Sequence, residues 1–587
     1  MLHDPEAFVS ISAAAAPAFS RDGQTLFHLR GSGLPQVWSL DLASGDERQL
    51  TPHEEAIAFL RRSPLDDRLI YGIDRGGDER QQLVMLDPGK TESWPLTDNP
   101  GVIHDFGAWS PDATHIAYAA NDRDEAHFDV YVQEIASGAR RCVHQGSHLI
   151  SVSGFQPDGD ALALLHDRGF GDMSLVLLDL GSGEARVVGA PANFKSVRWA
   201  RNGNTLLLLT DLGGCDFMRL CRLDPASGDI AIVYATPEHD VEAWALAADT
   251  DLLATVENDC GYSVLRIGPM DGERSIVSGL PRGIVTDLSW SPDGSSLAFV
   301  LATPIDPPAL WIWRDGAAEI AWQPERPALS LANIELVSWT SFDGTDIPGW
   351  LAVPRHQRPE NGHPAIMWVH GGPVSQARPN FRSDIQMLLS HGFAVLMPNV
   401  RGSSGYGRAY TVSDDVERRL DSVADLAHGR EWLASHPAID GARIGIMGQS
   451  YGGFMVMSAI TEYPNLWRAA ANYYGIADFV TLLAGTGAWR RSHRAAEYGD
   501  PERDAALFAR ISPIHRVDRI RVPVLIAHGS RDPRVPIGES EQYVAALRER
   551  QKQVSYITFD YAGHGFIRPD DRRRIYRAVA EFFTAHL

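Results

Sequence analysis

Cysteine is scarce in this chain. Cys142, Cys215, Cys221 and Cys260 are the only four in 587 residues, with no CxxC spacing and no paired histidine pattern. Neither a disulfide scaffold nor a zinc site is expected from that usage. Basic residues are also few where acidic ones abound. Residues 1–329 hold 24 Lys and Arg against 48 Asp and Glu, whereas residues 330–587 hold 29 against 27. A formal charge of -22 lacks the basic face that nucleic acid demands, so nucleic acid is excluded as a partner. No window approaches the ~18 uninterrupted apolar residues of a membrane span. The opening "MLHDPEAFVSISAAAAPAF" has acidic residues and no Lys or Arg before Arg21, whereas a secretory leader needs a basic start. A cytoplasmic protein without a membrane partner is the expectation.

What is present is a repeat. A small or polar residue, then Pro-Asp-Gly or a relative, then an apolar run recurs as "FSRDGQTLFHL" from Phe19, "RSPLDDRLIYG" from Arg62, "WSPDATHIAYA" from Trp109, "FQPDGDALALL" from Phe155, "WARNGNTLLLL" from Trp199, "LAADTDLLATV" from Leu246 and "WSPDGSSLAFV" from Trp290. Successive copies are roughly 43 to 47 residues apart, the period of a four-stranded propeller blade. Each is followed by a second alternating string that ends in a turn, such as "LVLLDLGSGEARVV". Pro-Asp-Gly and Ser-Gly suit tight turns, and the alternation buries one strand face against the next blade. Seven copies predict a seven-bladed β-propeller over residues 18–325, preceded by a segment 1–17 that packs on the following domain.

Pro324 and Pro327 then mark a linker, and the pattern changes. Over residues 330–587, near-continuous apolar runs such as "PAIMWVHGG", "FAVLMPNV", "RIGIMGQS", "VPVLIAHGS" and "VSYITFDYAG" alternate with helical segments. That alternation predicts a mostly parallel sheet covered on both faces, as in an α/β-hydrolase.

Within it, "RIGIMGQSYGGFMV" reads as strand, sharp turn and helix, with Ser450 between Gly448 and Gly452. This is the pattern of a nucleophile elbow, in which a Cβ at either glycine collides where the chain reverses. An elbow serine needs an acid and then a histidine at the ends of later strands. Asp532 in "AHGSRDPRVP" and His564 in "YAGHGF" supply them in that order. Rival candidates are His528, read as a packing or turn histidine, and the acids Asp478 and Asp560. The amide of Tyr451 and the glycines of "HGGP", Gly371 and Gly372, are candidate oxyanion donors. "GAWRRSHRA", with Trp489, Arg490, Arg491, His493 and Arg494, is the conspicuous basic cluster; a substrate carboxylate site and a solvated or inter-subunit face are both open readings.

Taken together, "HGGP", "MPNVRGSSGYG", "GQSYGGF", "HGSRDPRVP" and "AGHGF" resemble the prolyl oligopeptidase family of serine peptidases (S9), most nearly its acylaminoacyl-peptidase branch. The resemblance covers nearly the whole chain. It implies Ser450, Asp532 and His564 as a triad, with Gly372 and Tyr451 forming the oxyanion hole. It further implies Arg534 as holder of a substrate carbonyl and Val535 as a wall of the pocket beside the cut bond. No metal or organic cofactor is implied; the expected partners are short or unfolded peptides, and a homo-oligomer is left open. The paired-glutamate motif of dipeptidyl peptidase IV relatives is not found. A carboxylesterase or amidase acting on small molecules, and a non-catalytic propeller binding protein, are the competing functional readings.

Overall fold

The computed structural model describes residues 4–90, 92–325, 331–355 and 358–587. The Pro327 end of the expected linker lies outside them.

Seven four-stranded antiparallel sheets follow one another along the chain, each with its strands in sequence order. The first contains Ala13–Phe19, Thr25–Gly31, Gln36–Asp41 and Glu47–Gln49; the seventh contains Ile284–Trp290, Ser296–Ala302, Ala309–Arg314 and Ala317–Trp322. Together they form the seven-bladed β-propeller. The repeated string is the turn between first and second strands. Asp22, Asp112 and Asp293 each accept a hydrogen bond from the serine two residues earlier at 2.6 Å and another from the backbone N–H two residues later. Every sheet's first strand also carries a register shift, which adds local twist.

The first sheet starts at Ala13, inside the 1–17 segment that the sequence reading set apart. "AAAAPAF" hides a strand because small residues erase the apolar alternation and Pro17 interrupts it at the register shift. Among the described residues no strand is exchanged between the first and seventh sheets. Instead Ala14, Phe19, Leu26 and Leu40 pack against Ala298, Val300, Leu310, Ile312 and Trp322. Before Ala13, the short helix Glu6–Val9 leaves the propeller, and Phe8 is buried with Leu388, Ile575 and Val579 of the C-terminal domain.

That domain is built on one eight-stranded sheet. Its order is Ile334–Thr340, Asp346–Ala352, Ala394–Pro398, His363–Val369, Ile439–Gln449, Ala470–Tyr473, Val524–Gly529 and Val554–Phe559. The first two strands pair antiparallel, the second meets the third antiparallel, and the rest are parallel. Two apolar layers cover the faces. One buries Val423, Leu426, Phe454 and Val544 from helices Asp421–Ser435, Tyr451–Glu462 and Gly538–Glu549; the other buries Leu388 and Val579 from Ser383–Ser390 and Pro569–His586. Strands buried on both faces explain the near-continuous apolar runs. In such a sheet the loops at the strands' C-terminal ends carry the chemistry.

Candidate active site

Ser450 joins strand Ile439–Gln449 to helix Tyr451–Glu462 with φ 56 and ψ −122, a backbone region that non-glycine residues rarely occupy. The chain can turn this sharply only because two neighbours lack side chains. A Cβ on Gly452 would fall 2.2 Å from the Val369 carbonyl oxygen, and one on Gly448 2.6 Å from that of Gly452. Both glycines are required by close approach. The Ser450 N–H donates to the Tyr473 carbonyl at 2.9 Å, which ties the elbow to the next strand.

Asp532 and His564 follow the last two strands and reach the serine in series. His564 Nδ1 lies 2.6 Å from Asp532 Oδ2, and its Nε2 lies 2.9 Å from Ser450 Oγ. Asp532 is buried and well anchored: its Oδ1 accepts from the N–H groups of Arg534 at 2.8 Å and Val535 at 3.0 Å. Burial by itself raises its carboxyl, but hydrogen bonds and charge from His528 and His564 more than offset this and hold it well below the usual carboxylate range. The acid of this series therefore stays ionised.

The rivals are occupied elsewhere. His528 is fully buried, with Nδ1 2.7 Å from Ser540 Oγ and Nε2 2.8 Å from the Val535 carbonyl. Asp478 caps helix Phe479–Gly485 by accepting from the Val480 N–H. Asp560 offers its carbonyl to Ser530.

Two amides adjoin the serine. Tyr451 is the first residue of its helix, so its N–H has no intrahelical acceptor. Among the described residues the N–H of Gly372 also makes no hydrogen bond, and a Cβ on Gly371 would sit 3.2 Å from that of Ser450. The "HGGP" turn is thus brought against the elbow.

Ser450, His564, Gly371 and Gly372 open into a cavity of 880 Å³ roofed by the propeller, which contributes Asp167, Asp211, Asp216, Asp240 and Lys195 to its wall. A second cavity, of 470 Å³, lies between Glu55, Asp74, Glu79 and Asp105 of the propeller and Trp489 of the sheet domain. Arg534 and His564 border both. Arg534 is half exposed and ion-paired with Glu79. Val535 departs from expectation: it is buried in the domain core and lines neither cavity. Its side chain turns inward because its N–H and carbonyl serve Asp532 and His528.

Most of the basic cluster is engaged at the seam with the propeller: Arg491 is exposed, whereas His493 and Arg494 border the Ser450 cavity. Helix Ala488–Tyr498 lies along the seam, where Arg490 meets Glu79 at 2.7 Å, His493 is 3.6 Å from Asp167 and Trp489 packs edge-on against Phe128. Gly563 likewise answers to the propeller, since a Cβ there would fall 1.9 Å from the Gly77 carbonyl oxygen.

Sequence reasoning missed Tyr474, whose ring lies 4.6 Å from that of His564 and whose hydroxyl donates to Gln449 Oε1 at 3.1 Å. The signal was the aromatic pair in "NYYG", at the end of the strand after the elbow. The acidity of the propeller was legible, but not that Asp167, Asp211, Asp216 and Asp240 are the residues it brings to the cavity. One group with metal-ligand chemistry stands out among the described residues: His239, Asp259 and Cys260, with ligand atoms within 4.8 Å of one another. None of the three borders the Ser450 cavity.

A propeller roofing an α/β-hydrolase, with an elbow serine facing a His–Asp pair in the cleft between them, defines a propeller-capped α/β-hydrolase. Residues 379–587 match the model of the prolyl oligopeptidase family. Dipeptidyl aminopeptidase BIII of Pseudoxanthomonas mexicana is 32% identical over 260 residues, 42% of this chain and 38% of that protein. The acylamino-acid-releasing enzyme of Arabidopsis thaliana is 26% identical over 338 residues, 51% of this chain and 44% of that protein. The chain thus spans less than half the length of these curated relatives. Among solved structures, a puromycin hydrolase superposes with a TM-score of 0.88 at 21% identity, covering 99% of this chain and 96% of that one. Pyrococcus horikoshii acylaminoacyl peptidase gives 0.77 at 19%, covering 100% and 97%. At those identities the likeness is one of fold. No helix among the described residues is long and apolar enough to cross a membrane.

Proposed function

We propose that this chain is a serine peptidase of acylaminoacyl-peptidase or oligopeptidase type, hydrolysing short or unfolded peptides with Ser450 as nucleophile. The observation that carries the reading is the unbroken series from Asp532 through His564 to Ser450, opening into a cavity beneath the propeller.

In this reading His564 Nε2 takes the Ser450 hydroxyl proton as Oγ attacks the scissile carbonyl, while Asp532 holds the Nδ1–H tautomer and stabilises the imidazolium. The amides of Tyr451 and Gly372 receive the developing oxyanion, a role worth ~10² to 10³ in kcat per donor. His564 then returns the proton to the leaving amine. Water repeats the sequence and frees the acyl group. Arg534 beside the cavity holds a substrate carbonyl, and the propeller admits only chains narrow enough to reach the cleft.

The test is labelling by a fluorophosphonate probe, followed by a panel of blocked peptides, unblocked peptides and p-nitrophenyl esters with products identified by mass. Labelled wild type, unlabelled Ser450→Ala and preference for peptides are expected. Labelling of Ser450→Ala equal to wild type overturns the nucleophile assignment. Turnover of esters alone establishes a small-molecule esterase instead, and absence of both labelling and turnover a binding protein.

A further inference from the structure

Tyr451 has a second end. Its phenol reaches away from Ser450 into a buried polar cluster that the hydrolytic chemistry does not use, and its hydroxyl donates to Asp414 Oδ2 at 2.8 Å. Arg419, fully buried, donates through Nη1 to the Tyr451 hydroxyl at 3.0 Å and to Asp414 Oδ2 at 2.6 Å. Through Nη2 it donates to the Glu497 carbonyl oxygen at 3.0 Å. The guanidinium also stands 5.3 Å from the centre of the Tyr451 ring and 5.2 Å from that of Tyr498, and the two rings stack nearly parallel at 13°.

Glu497 and Tyr498 end the helix Ala488–Tyr498, and the earlier turns of that helix are held by the propeller. Trp489 meets Phe128, Arg490 meets Glu79, His493 faces Asp167, and a Cβ on Gly169 would fall 3.0 Å from Ala496 Cβ. One rigid helix therefore touches the propeller along its length and the Arg419 cluster at its end.

We propose that Arg419 is a positioning residue for Tyr451, and that helix Ala488–Tyr498 makes this support depend on propeller docking. The inference rests on Tyr451 being an oxyanion donor. The direction of its N–H is set by Ser450 ψ and Tyr451 φ, and Ser450 is held in a strained conformation. Fixing the far end of the Tyr451 side chain restricts that φ. A buried arginine costs folding energy unless fully paired, and apolar residues of similar volume often serve stability as well or better, so stability is a weak reason for an ion pair here. Orientation of a donor that must point at developing charge is a stronger one. It also gives the "GAWRRSHRA" segment a role, as the arm linking propeller to elbow.

The experiment compares wild type, Tyr451→Phe, Arg419→Met, Arg419→Lys, Trp489→Ala and the Arg419→Met/Trp489→Ala double variant. Readouts are kcat and KM on a blocked peptide, the fluorophosphonate labelling rate of Ser450, circular dichroism and Tm. Tyr451→Phe removes only a hydroxyl and keeps the test alive if Arg419→Met fails to fold. Expected are a kcat loss of roughly 10-fold for Tyr451→Phe and up to ~10²-fold for Arg419→Met, within the range for losing an oxyanion donor. KM should stay within about threefold, and Arg419→Lys should recover part of the loss. Trp489→Ala should lower kcat in the wild-type background but not in the Arg419→Met background, the non-additivity of a shared route. Tyr451→Phe with wild-type kcat and labelling rate overturns the proposal, as do fully additive losses in the double variant. Failure of wild type to be labelled at Ser450 overturns this and the peptidase reading together, whereas labelled wild type with equally reactive Tyr451→Phe overturns this inference alone.

Discussion

Arg534 and Glu79 stand 455 residues apart in sequence and form an ion pair across the seam between hydrolase and propeller, at the wall shared by both cavities. Arg534 is half exposed, so the pair contributes no more than about 1 kcal/mol to stability. Arg534→Met should therefore barely change Tm. On a peptide substrate it should raise KM about 10-fold or more, the loss of one charge-assisted hydrogen bond to a carbonyl. Steady-state kinetics on peptides beside p-nitrophenyl acetate check this, since the small ester should be little affected.

Asp532 should matter through tautomer and orientation. Asp532→Asn is expected to keep the fold but lower kcat about 10⁴-fold, because an amide donating to Nδ1 selects the wrong imidazole tautomer. The same variant should slow fluorophosphonate labelling of Ser450. A Tm near wild type distinguishes this from unfolding.

Gly452 admits no side chain. In Gly452→Ala the new Cβ would meet the Val369 carbonyl at 2.2 Å and that of His370 at 2.5 Å, both main-chain atoms. Destabilisation of at least about 1–3 kcal/mol is expected from overpacking, with loss of kcat as the elbow shifts. Thermal unfolding and turnover measure the two effects separately.

Glu497 gives stability a pH dependence. Burial, helped by Asp414 and Asp415 and opposed by Arg419 and Arg494, raises its carboxyl from the ordinary 4.5 to about 7. Between those values the native state holds a proton that the unfolded chain has released, so this group lowers stability as pH rises through the window and has no further effect above it. Glu497→Gln should therefore gain in Tm relative to wild type from pH 5 to pH 8. Parallel Tm curves for the two proteins over that range would contradict the assignment.

The acidic propeller should select substrates. Residues 1–329 hold 24 Lys and Arg against 48 Asp and Glu, so at low salt Lys-rich peptides should exceed Glu-rich ones in kcat/KM by about 10-fold or more through long-range steering, even though Arg378, Arg382, Arg408, Arg494 and Arg534 line the cavity itself. The gap should close as salt approaches ~1 M, where the Debye length is about 3 Å. Equal kcat/KM throughout the titration would exclude the preference.

Local rules made much of this legible. The turn aspartates recur because each satisfies a serine hydroxyl and a backbone N–H within a few residues, so Asp112 and Asp293 are written in the sequence as plainly as they stand in the fold. Ser450, Asp532 and His564 were legible because the elbow and the strand ends are local features arranged in chain order. Ala13–Phe19 was obscured, since a strand of small residues with an internal proline shows no period. Val535 was misplaced because sequence proximity to Asp532 says nothing about which way a turn directs its side chain.

By itself, then, the sequence determined the seven-fold repeat, the alternating strands and helices, and the order of serine, acid and histidine, all set by contacts between residues near one another in the chain. Only the tertiary structure decided what faces the serine. The pairing of Glu79 with Arg534, the approach of Gly77 to Gly563 and the propeller roof depend on how the two domains dock, and the tie from Arg419 to Tyr451 on how distant segments of the sheet domain pack. Docking is set by side chains tens to hundreds of residues apart, which no local period or motif encodes.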